Sequence, residues 1–330
     1  MAEQSSDVKN SDNSAGGHKL GLISLIAIVV SSMLGGGVFS LPQNTAASSA
    51  LGPVIIAWII AGIGIYFIAN SFRVLSDLRP DLQAGVYMYA QEGFGSFIGF
   101  NVAWGYWLMT AFGNVAFAVI LMDAFNQFMP GVFTDGNNLN SIICGSVLIW
   151  GYNFLVLSGT KVAGFVNTLG TIAKLVPLIL FVLLLGVLID YSDLFKNFWG
   201  ESPAILSGNG NDAAPVSLLS QILAPMTVTL WAFIGVEGAV VLSGRAKNKQ
   251  DVGKATLIGF LLALIIYMLM SILPFGVMPQ AELAQVSNPS TAGVLAHVVG
   301  QWGDWLMSAG LIISVLAGWP GPCYALKYRW

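Results

Sequence analysis

The chain has 330 residues, of which 56% are hydrophobic and only 9% are charged, and its net charge at pH 7 is −3. An ordinary soluble domain carries about 25% charged residues, so this composition excludes that class. Apolar runs of about 20 residues, without the alternation typical of barrel strands, predict an all-α polytopic membrane protein. The two cysteines, Cys144 and Cys323, are too few for a disulfide framework and are expected to be free thiols.

Residues 1–18 are polar, and this composition predicts a disordered cytoplasmic tail. The apolar run that follows is too long for a signal peptide, so the first helix is expected to stay in the membrane. Lys and Arg are concentrated in the loops on the side of this tail, so the positive-inside rule predicts a cytoplasmic N-terminus. A short interfacial helix is predicted over 85–95. Eight membrane spans are predicted near 20–47, 53–76, 97–127, 141–158, 162–189, 217–243, 255–278 and 299–319.

The first span contains three consecutive glycines, Gly35, Gly36 and Gly37, which predict a break because each costs roughly 1 kcal/mol relative to alanine in a helix. Freed backbone groups at membrane depth are tolerated where they line a cavity or pack against protein. The second half-helix begins near Gly36, and the free N–H groups at its N-terminus suit a carboxylate. The carbonyls near Ser32 and Met33, at the end of the first half-helix, suit an ammonium group or a cation. The segment predicts a site for the backbone of an amino acid. The alternative is a glycine-rich face for close helix packing.

The sixth span contains a second break signal over 231–238, with a glycine pair and an acid. Both broken spans open their half of the chain, which is the pattern of a five-helix inverted repeat with a binding site between the broken helices. This pattern predicts a division of the chain into a tail (1–18), a first repeat with helices 1–5 (19–190), an extracellular loop (191–215), an incomplete second repeat with helices 6–8 (216–319) and a C-terminal tail (320–330).

Two ionisable residues lie deep within apolar runs, where a charge is costly enough to indicate a functional site. Glu237 is predicted to take part in coupling, for which the alternative is a structural role in holding the broken helix by accepting hydrogen bonds. Lys174 lies about 12 residues into its span, roughly 18 Å from its end. Its ammonium is predicted to rest against carbonyls of the first broken helix, in place of a bound sodium ion. The alternative is a lysine in a polar crevice without a transport role.

One face of the third span combines polar and apolar residues at helical spacing and suits the side chain of a ligand. Asn114 is the most informative of them, because a buried amide must be satisfied internally. Trp231, beside the second break, is predicted to cover the ligand, with a cation–π attraction of roughly 0.5 to 2 kcal/mol for a cationic ligand. The predicted face consists of Tyr106, Met109, Thr110, Gly113 and Asn114.

The segment from Ser32 to Asn44 resembles the first helix of amino acid, polyamine and organocation transporters, and 231–238 resembles their sixth helix. The segments 103–107, 113–114, 171–177 and 251–256 are similar to the basic amino acid antiporter branch, especially to arginine/ornithine antiporters. This resemblance implies a fold of twelve helices, of which about eight are present.

The same resemblance implies roles for individual residues. The substrate carboxylate would meet the N–H groups of Gly36 and Gly37. The ammonium group would meet the carbonyls of Met33, Trp231 and Ile234. The implied gating or coupling residues are Trp231, Glu237, Tyr106 and Lys174, of which Lys174 resembles a fifth-helix lysine that some relatives place in a sodium-like site. The implied substrate-binding residues are Ser32, Met33, Gly35, Gly36, Gly37, Tyr106, Met109, Thr110, Asn114, Trp231 and Ile234.

The predicted function is exchange of arginine against ornithine across the cell membrane by alternating access, without cofactor, metal or nucleic acid. The sequence leaves the oligomeric state open, with a homodimer as one option. Two alternatives remain, a proton-coupled amino acid uptake permease and a non-transporting membrane sensor or scaffold. An enzyme is not expected, because the sequence contains no metal cluster, nucleophile constellation or phosphate loop.

The apolar sequence of the last predicted span stops near Ala317 and is followed by a Pro-Gly-Pro stretch. Residues 320–330 do not resemble the family's eighth helix. Two nearby prolines would break a helix there. A shifted reading frame from Ala317 can restore a family-like apolar segment, so we predict a frameshift and do not assign Trp319 to the family's eighth-helix tryptophan. A chain without the tenth helix is predicted to be unstable and not to transport.

Overall fold

The computed structural model describes residues 20–79, 81–82, 86–158, 160–195, 197–200, 217–241, 243 and 246–319. Among these residues the fold is helical and contains no strand, which confirms the predicted all-α class. Leu20 and Ala246 form an isolated backbone bridge. The predicted tails at 1–18 and 320–330, and Cys323 with them, lie outside the described residues, whereas Cys144 is a free thiol as predicted.

Each predicted span contains at least one helix. The helices of the first part are α1 (Leu22–Met33), α2 (Leu41–Ala46), α3 (Leu51–Leu78), α4 (Val86–Phe94), α5 (Ser96–Asn126), α6 (Leu139–Ser158), α7 (Thr160–Leu188) and α8 (Tyr191–Leu194). Those of the second part are α9 (Leu218–Leu223), α10 (Met226–Ala232), α11 (Gly238–Val241), α12 (Gln250–Ile272), α13 (Gln280–Leu283), α14 (Ser290–Val299) and α15 (Gln301–Gly318). The short helices α8, α13 and α14 lie between predicted spans.

Three segments among the described residues are long and apolar enough to cross a membrane, namely Leu51–Leu78, Ser96–Asn126 and Gln250–Gly276. A fourth is present if α1 and Gly36–Ala46, which are bent by 51° at the break, count as one span. This pattern supports a multi-pass membrane protein, whereas the inverted repeat and the number of spans stay predictions.

Both predicted helix breaks are present. α1 ends at Met33, and the chain resumes as a 3-10 helix over Gly36–Ser40 before α2 begins. In the sixth span, α10 ends at Ala232, and turns over 233–237 lead into α11. Gly235 in these turns has φ of 108°, a conformation that side-chain-bearing residues rarely adopt. The glycines therefore interrupt both spans as their helix propensities predict.

A buried aromatic cluster, made up of Trp58, Phe233, Phe260 and Tyr267, lies behind the two breaks. Trp58 and Tyr267 are stacked with their ring centroids 5.6 Å apart. Phe233 meets Tyr267 edge-on at 5.7 Å and Phe260 in a tilted arrangement at 5.5 Å. Because Phe233 directly follows α10, this cluster fixes the second break against α3 and α12.

A glutamine clasp, formed by Gln221 and Gln280, joins α2 to α9 and α13 at the end of the bundle where α3 begins. The Gln221 side-chain oxygen accepts from Ala50 N at 3.2 Å, and its backbone carbonyl accepts from the Ser49 hydroxyl. The Gln280 amide donates to Ala46 O at 3.1 Å and to Ser49 O at 2.8 Å. Both glutamines are buried, so these bonds satisfy groups that water does not reach.

An ionic cluster lies at the opposite end of α3. Arg79 donates to Asp81 at 2.8 Å and to Glu92 at 3.2 Å. The guanidinium holds the pKa of Asp81 below its ordinary value. Because Glu92 belongs to α4, the cluster ties this short helix, which forms where an interfacial helix is predicted, to the end of α3.

Candidate functional site

The two helix breaks contact each other through Ser32 and Gly235. The Ser32 hydroxyl lies 2.8 Å from the carbonyl oxygen of Gly235, and it also lies within hydrogen-bond distance of two carbonyls of α1. A Cβ atom on Gly235 would come within 2.6 Å of the Ser32 carbonyl oxygen. Only a glycine at position 235 permits this approach, so the close contact between the two breaks depends on Gly235.

Lys174 from α7 reaches the end of α1. Its side chain is 5% exposed, and Nζ donates to the carbonyl oxygen of Ser31 at 2.9 Å. Among the described residues no carboxylate forms an ion pair with this ammonium. The predicted contact with carbonyls of the first broken helix is therefore present, and the coupling role of Lys174 stays a prediction.

Glu237 links α5 to the second break. Its Oε1 accepts from the Tyr106 hydroxyl at 3.1 Å, and its Oε2 accepts from Gly235 N at 3.0 Å. These bonds hold the turn that carries the left-handed glycine, which is the structural role that the sequence left open. They also connect the carboxylate to the third predicted span, so a shift of α5 would be felt at the break. The gating role stays a prediction.

Trp231 crosses from the second break to the first. A Cβ atom on Gly37 would lie 2.2 Å from the indole ring, so the ring packs directly on the glycine backbone. The indole is 49% exposed and therefore has an open face beside this contact. This position agrees with an aromatic cover over the first break, and the gating role again stays a prediction.

The predicted ligand face of the third span divides into two groups. Thr110 and Asn114 are buried, and the Asn114 amide donates to Thr110 O at 2.8 Å and accepts from Trp319 Nε1 at 2.8 Å. Met109, on the same face, is 36% exposed and so is not enclosed by the described residues. Ile234, which was predicted to bind the ammonium group from the second break, is 41% exposed. The amide is thus satisfied internally, as a buried amide must be.

Two residues at the site were not assigned to it from the sequence, namely Tyr267 and Trp319. The Tyr267 hydroxyl lies 2.5 Å from Met33 O and 2.8 Å from Ala232 O, and so touches the last residue of α1 and of α10. Trp319 is fully buried and stacks on Tyr152 at 5.4 Å. A phenol within an apolar run is a signal for Tyr267, because its hydroxyl needs an acceptor.

Comparison with known proteins gives a consistent set of relatives. A family model described as amino acid permease matches residues 20–325. An arginine/agmatine antiporter of Chlamydia abortus is 52% identical over 311 residues, which cover 94% of this chain and 63% of the relative. The arginine/agmatine antiporter of Chlamydia pneumoniae is 53% identical over 302 residues, covering 91% of this chain and 61% of the relative.

A protein of Chlamydia trachomatis serovar D, also named an arginine/agmatine antiporter, is 52% identical over 300 residues, which cover 91% of this chain and 60% of the relative. The chain therefore spans less than two thirds of the length of these relatives. The resemblance to amino acid antiporters is confirmed by these matches. Their names pair arginine with agmatine, so ornithine stays a prediction.

Proposed function

Because this chain belongs to the amino acid permease family, we propose that it binds cationic amino acids between its two helix breaks, for exchange across the cell membrane by alternating access. The observation that carries the proposal is the direct contact of the two breaks, with the half-exposed Trp231 lying across both. Broken helices present carbonyl and N–H groups that bind the ammonium and carboxylate of a small substrate.

The proposed site assigns one part of the substrate to each kind of group. The carboxylate meets the N–H groups of Gly36 and Gly37, and the ammonium group meets carbonyls at the ends of α1 and α10. The substrate side chain extends toward Thr110 and Asn114. Trp231 covers the bound molecule, and its π face attracts a cation.

The names of the relatives favour arginine as the substrate and agmatine as its exchange partner. The resemblance to arginine/ornithine antiporters adds ornithine as the alternative exchange partner. Agmatine is arginine without its carboxylate, so it keeps the amino group and the guanidinium group. A site that holds both molecules must therefore recognise these two groups and tolerate loss of the carboxylate. Ornithine instead keeps the carboxylate and replaces the guanidinium by an amine.

The topology forms part of the same proposal. The two breaks lie in the first helix of each half of an inverted repeat. The N-terminus is cytoplasmic, because the Lys and Arg residues follow the positive-inside rule. In this orientation the ionic cluster around Arg79 faces the cytoplasm, and the glutamine clasp faces outward.

The test begins with binding of arginine, agmatine and ornithine to the purified chain by isothermal titration calorimetry. We expect arginine to bind and citrulline, which has the same length but an uncharged ureido group, to bind far more weakly. Absence of arginine binding by a sample that is folded, as judged by a cooperative thermal transition, would contradict the proposal and favour a sensor or scaffold that recognises something else.

Counterflow in proteoliposomes separates exchange from proton-coupled uptake. In an antiporter, agmatine or ornithine inside the vesicle accelerates entry of labelled arginine, whereas a proton gradient alone drives accumulation by a permease. Exchange by the 330-residue chain would support antiport and would contradict the prediction that this chain alone does not transport. Uptake driven by the proton gradient alone would contradict antiport.

A further inference from the structure

We propose that Tyr267 is a positioning residue that holds the carbonyl groups at the two helix breaks together and so sets where the ammonium group of the substrate binds. The inference rests on the proposed function, because it concerns the same site. Its basis is the position of one buried hydroxyl between Met33 O and Ala232 O.

The two carbonyls belong to different halves of the proposed binding site. Met33 is the last residue of α1, and Ala232 is the last residue of α10. Tyr267 comes from a third helix, α12, and its side chain is 1% exposed. No other described side chain makes a hydrogen bond to the carbonyls of both helix ends, so this phenol is their common polar link among those residues.

Packing fixes the position of the hydroxyl. The Tyr267 ring is stacked on Trp58 at 5.6 Å and meets Phe233 edge-on at 5.7 Å. Trp58 is itself fully buried in α3, which packs along α12. A ring enclosed in this way cannot turn its hydroxyl away from the two carbonyls without disturbing the aromatic cluster.

The hydroxyl has one hydrogen and faces two acceptors. It donates to Met33 O or to Ala232 O at a given moment, and the other carbonyl keeps its capacity to accept a hydrogen bond. Met33 O also accepts from Gly35 N at 2.7 Å, so its acceptor capacity is limited. An ammonium group, which has three donors and no acceptor, is the chemical group that completes this arrangement.

The test compares ligands with and without the amino group. We expect Tyr267→Phe, which keeps the ring, to weaken binding of arginine and agmatine about tenfold, the scale of one net hydrogen bond. Binding of 5-guanidinopentanoate, which is arginine without its α-amino group, should change less than about twofold. A purely structural loss would weaken all three ligands alike, and that result would overturn the inference.

A matched control lies one turn along the same helix. Ser271 is fully buried, and its hydroxyl has no hydrogen-bond partner among the described residues, so Ser271→Ala removes an oxygen at the same depth without removing a link. We expect this variant to bind all three ligands as the unaltered chain does. If it instead reproduces the ligand pattern of Tyr267→Phe, the assignment to Tyr267 is wrong.

If Tyr267→Phe does not fold, Tyr267→4-aminophenylalanine carries the test. Its two N–H hydrogens can occupy both carbonyls at once, so arginine and agmatine should bind at least about threefold more weakly, with 5-guanidinopentanoate unaffected. Unchanged arginine binding would overturn the inference alone. Failure of the unaltered chain to bind arginine would overturn the proposed function and this inference with it.

Discussion

The contact between the two helix breaks makes Gly235→Ala the most informative substitution. The glycine has φ of 108°, which costs a non-glycine residue about 1–3 kcal/mol. The new methyl group would lie 2.6 Å from Ser32 O and 2.7 Å from Ser32 C, both of them backbone atoms that cannot turn aside. The breaks must then separate, which breaks the Ser32–Gly235 hydrogen bond at a cost of about 1 kcal/mol. We expect a total loss of about 3 kcal/mol in the free energy of unfolding.

Thermal unfolding in detergent, followed by the fluorescence of the ten tryptophans, measures this loss. A destabilisation of this size should lower the apparent melting temperature by about 5 °C at a fixed scan rate. Gly64→Ala in α3 is the control, because its Cβ would meet nothing within 4 Å and alanine is the better helix former. It should melt at the same temperature or slightly higher. If Gly235→Ala also melts like the unaltered chain, the close approach of the breaks does not exist.

Three further substitutions test other parts of the site and the fold. Trp231→Ala should weaken arginine binding in calorimetry without reducing membrane insertion, because it removes an aromatic cover and no backbone ligand; unchanged affinity would exclude the cover. Lys174→Met should leave the chain folded but alter the pH dependence of arginine binding, since it removes a deeply buried charge from the end of α1; an identical pH profile would favour the structural role. The guanidinium of Arg79 lowers the pKa of Asp81, so the stabilising contribution of this pair is present at neutral pH and is lost as the pH falls through that lowered pKa. The readout is hydrogen exchange at Leu82, which follows Asp81 and donates its N–H to Arg79 O at 3.1 Å. Exchange there should differ between Arg79→Met and the unaltered chain at neutral pH but not at a pH below that lowered pKa, and a difference that persists in acid would contradict this account.

Local chemistry in the sequence predicts the breaks and the contact of Lys174. Three glycines in a row cost helix stability wherever they lie, so the interruption after Met33 needs no knowledge of the neighbours. The depth of Lys174 likewise requires a polar partner inside the bundle, and broken-helix carbonyls are the nearest class of acceptor. Both inferences depend on properties of single segments.

The features that the sequence did not predict depend on which helices become neighbours. Helical spacing places Met109 and Asn114 on one face, yet Met109 is 36% exposed while Asn114 is buried against Trp319. Periodicity identifies a face but not what covers each part of it. The two acceptors of Tyr267 likewise lie more than 30 residues away in the chain, so its role follows only from tertiary packing.

The two ends of α3 are held by bonds of different kinds, and this difference decides how each end responds to its surroundings. The glutamine clasp consists of neutral amides, hydroxyls and carbonyls, none of which titrates or is screened by dissolved salt. The cluster around Arg79 consists of charges in contact with solvent, whose attraction weakens as ionic strength rises. The hydrogen bonds of the glutamine clasp at Gln221 and Gln280 should therefore keep their strength when the pH or the salt concentration changes. The attraction between Arg79 and its two carboxylates should instead weaken in acid or at high salt, so this end of α3 is held less firmly there.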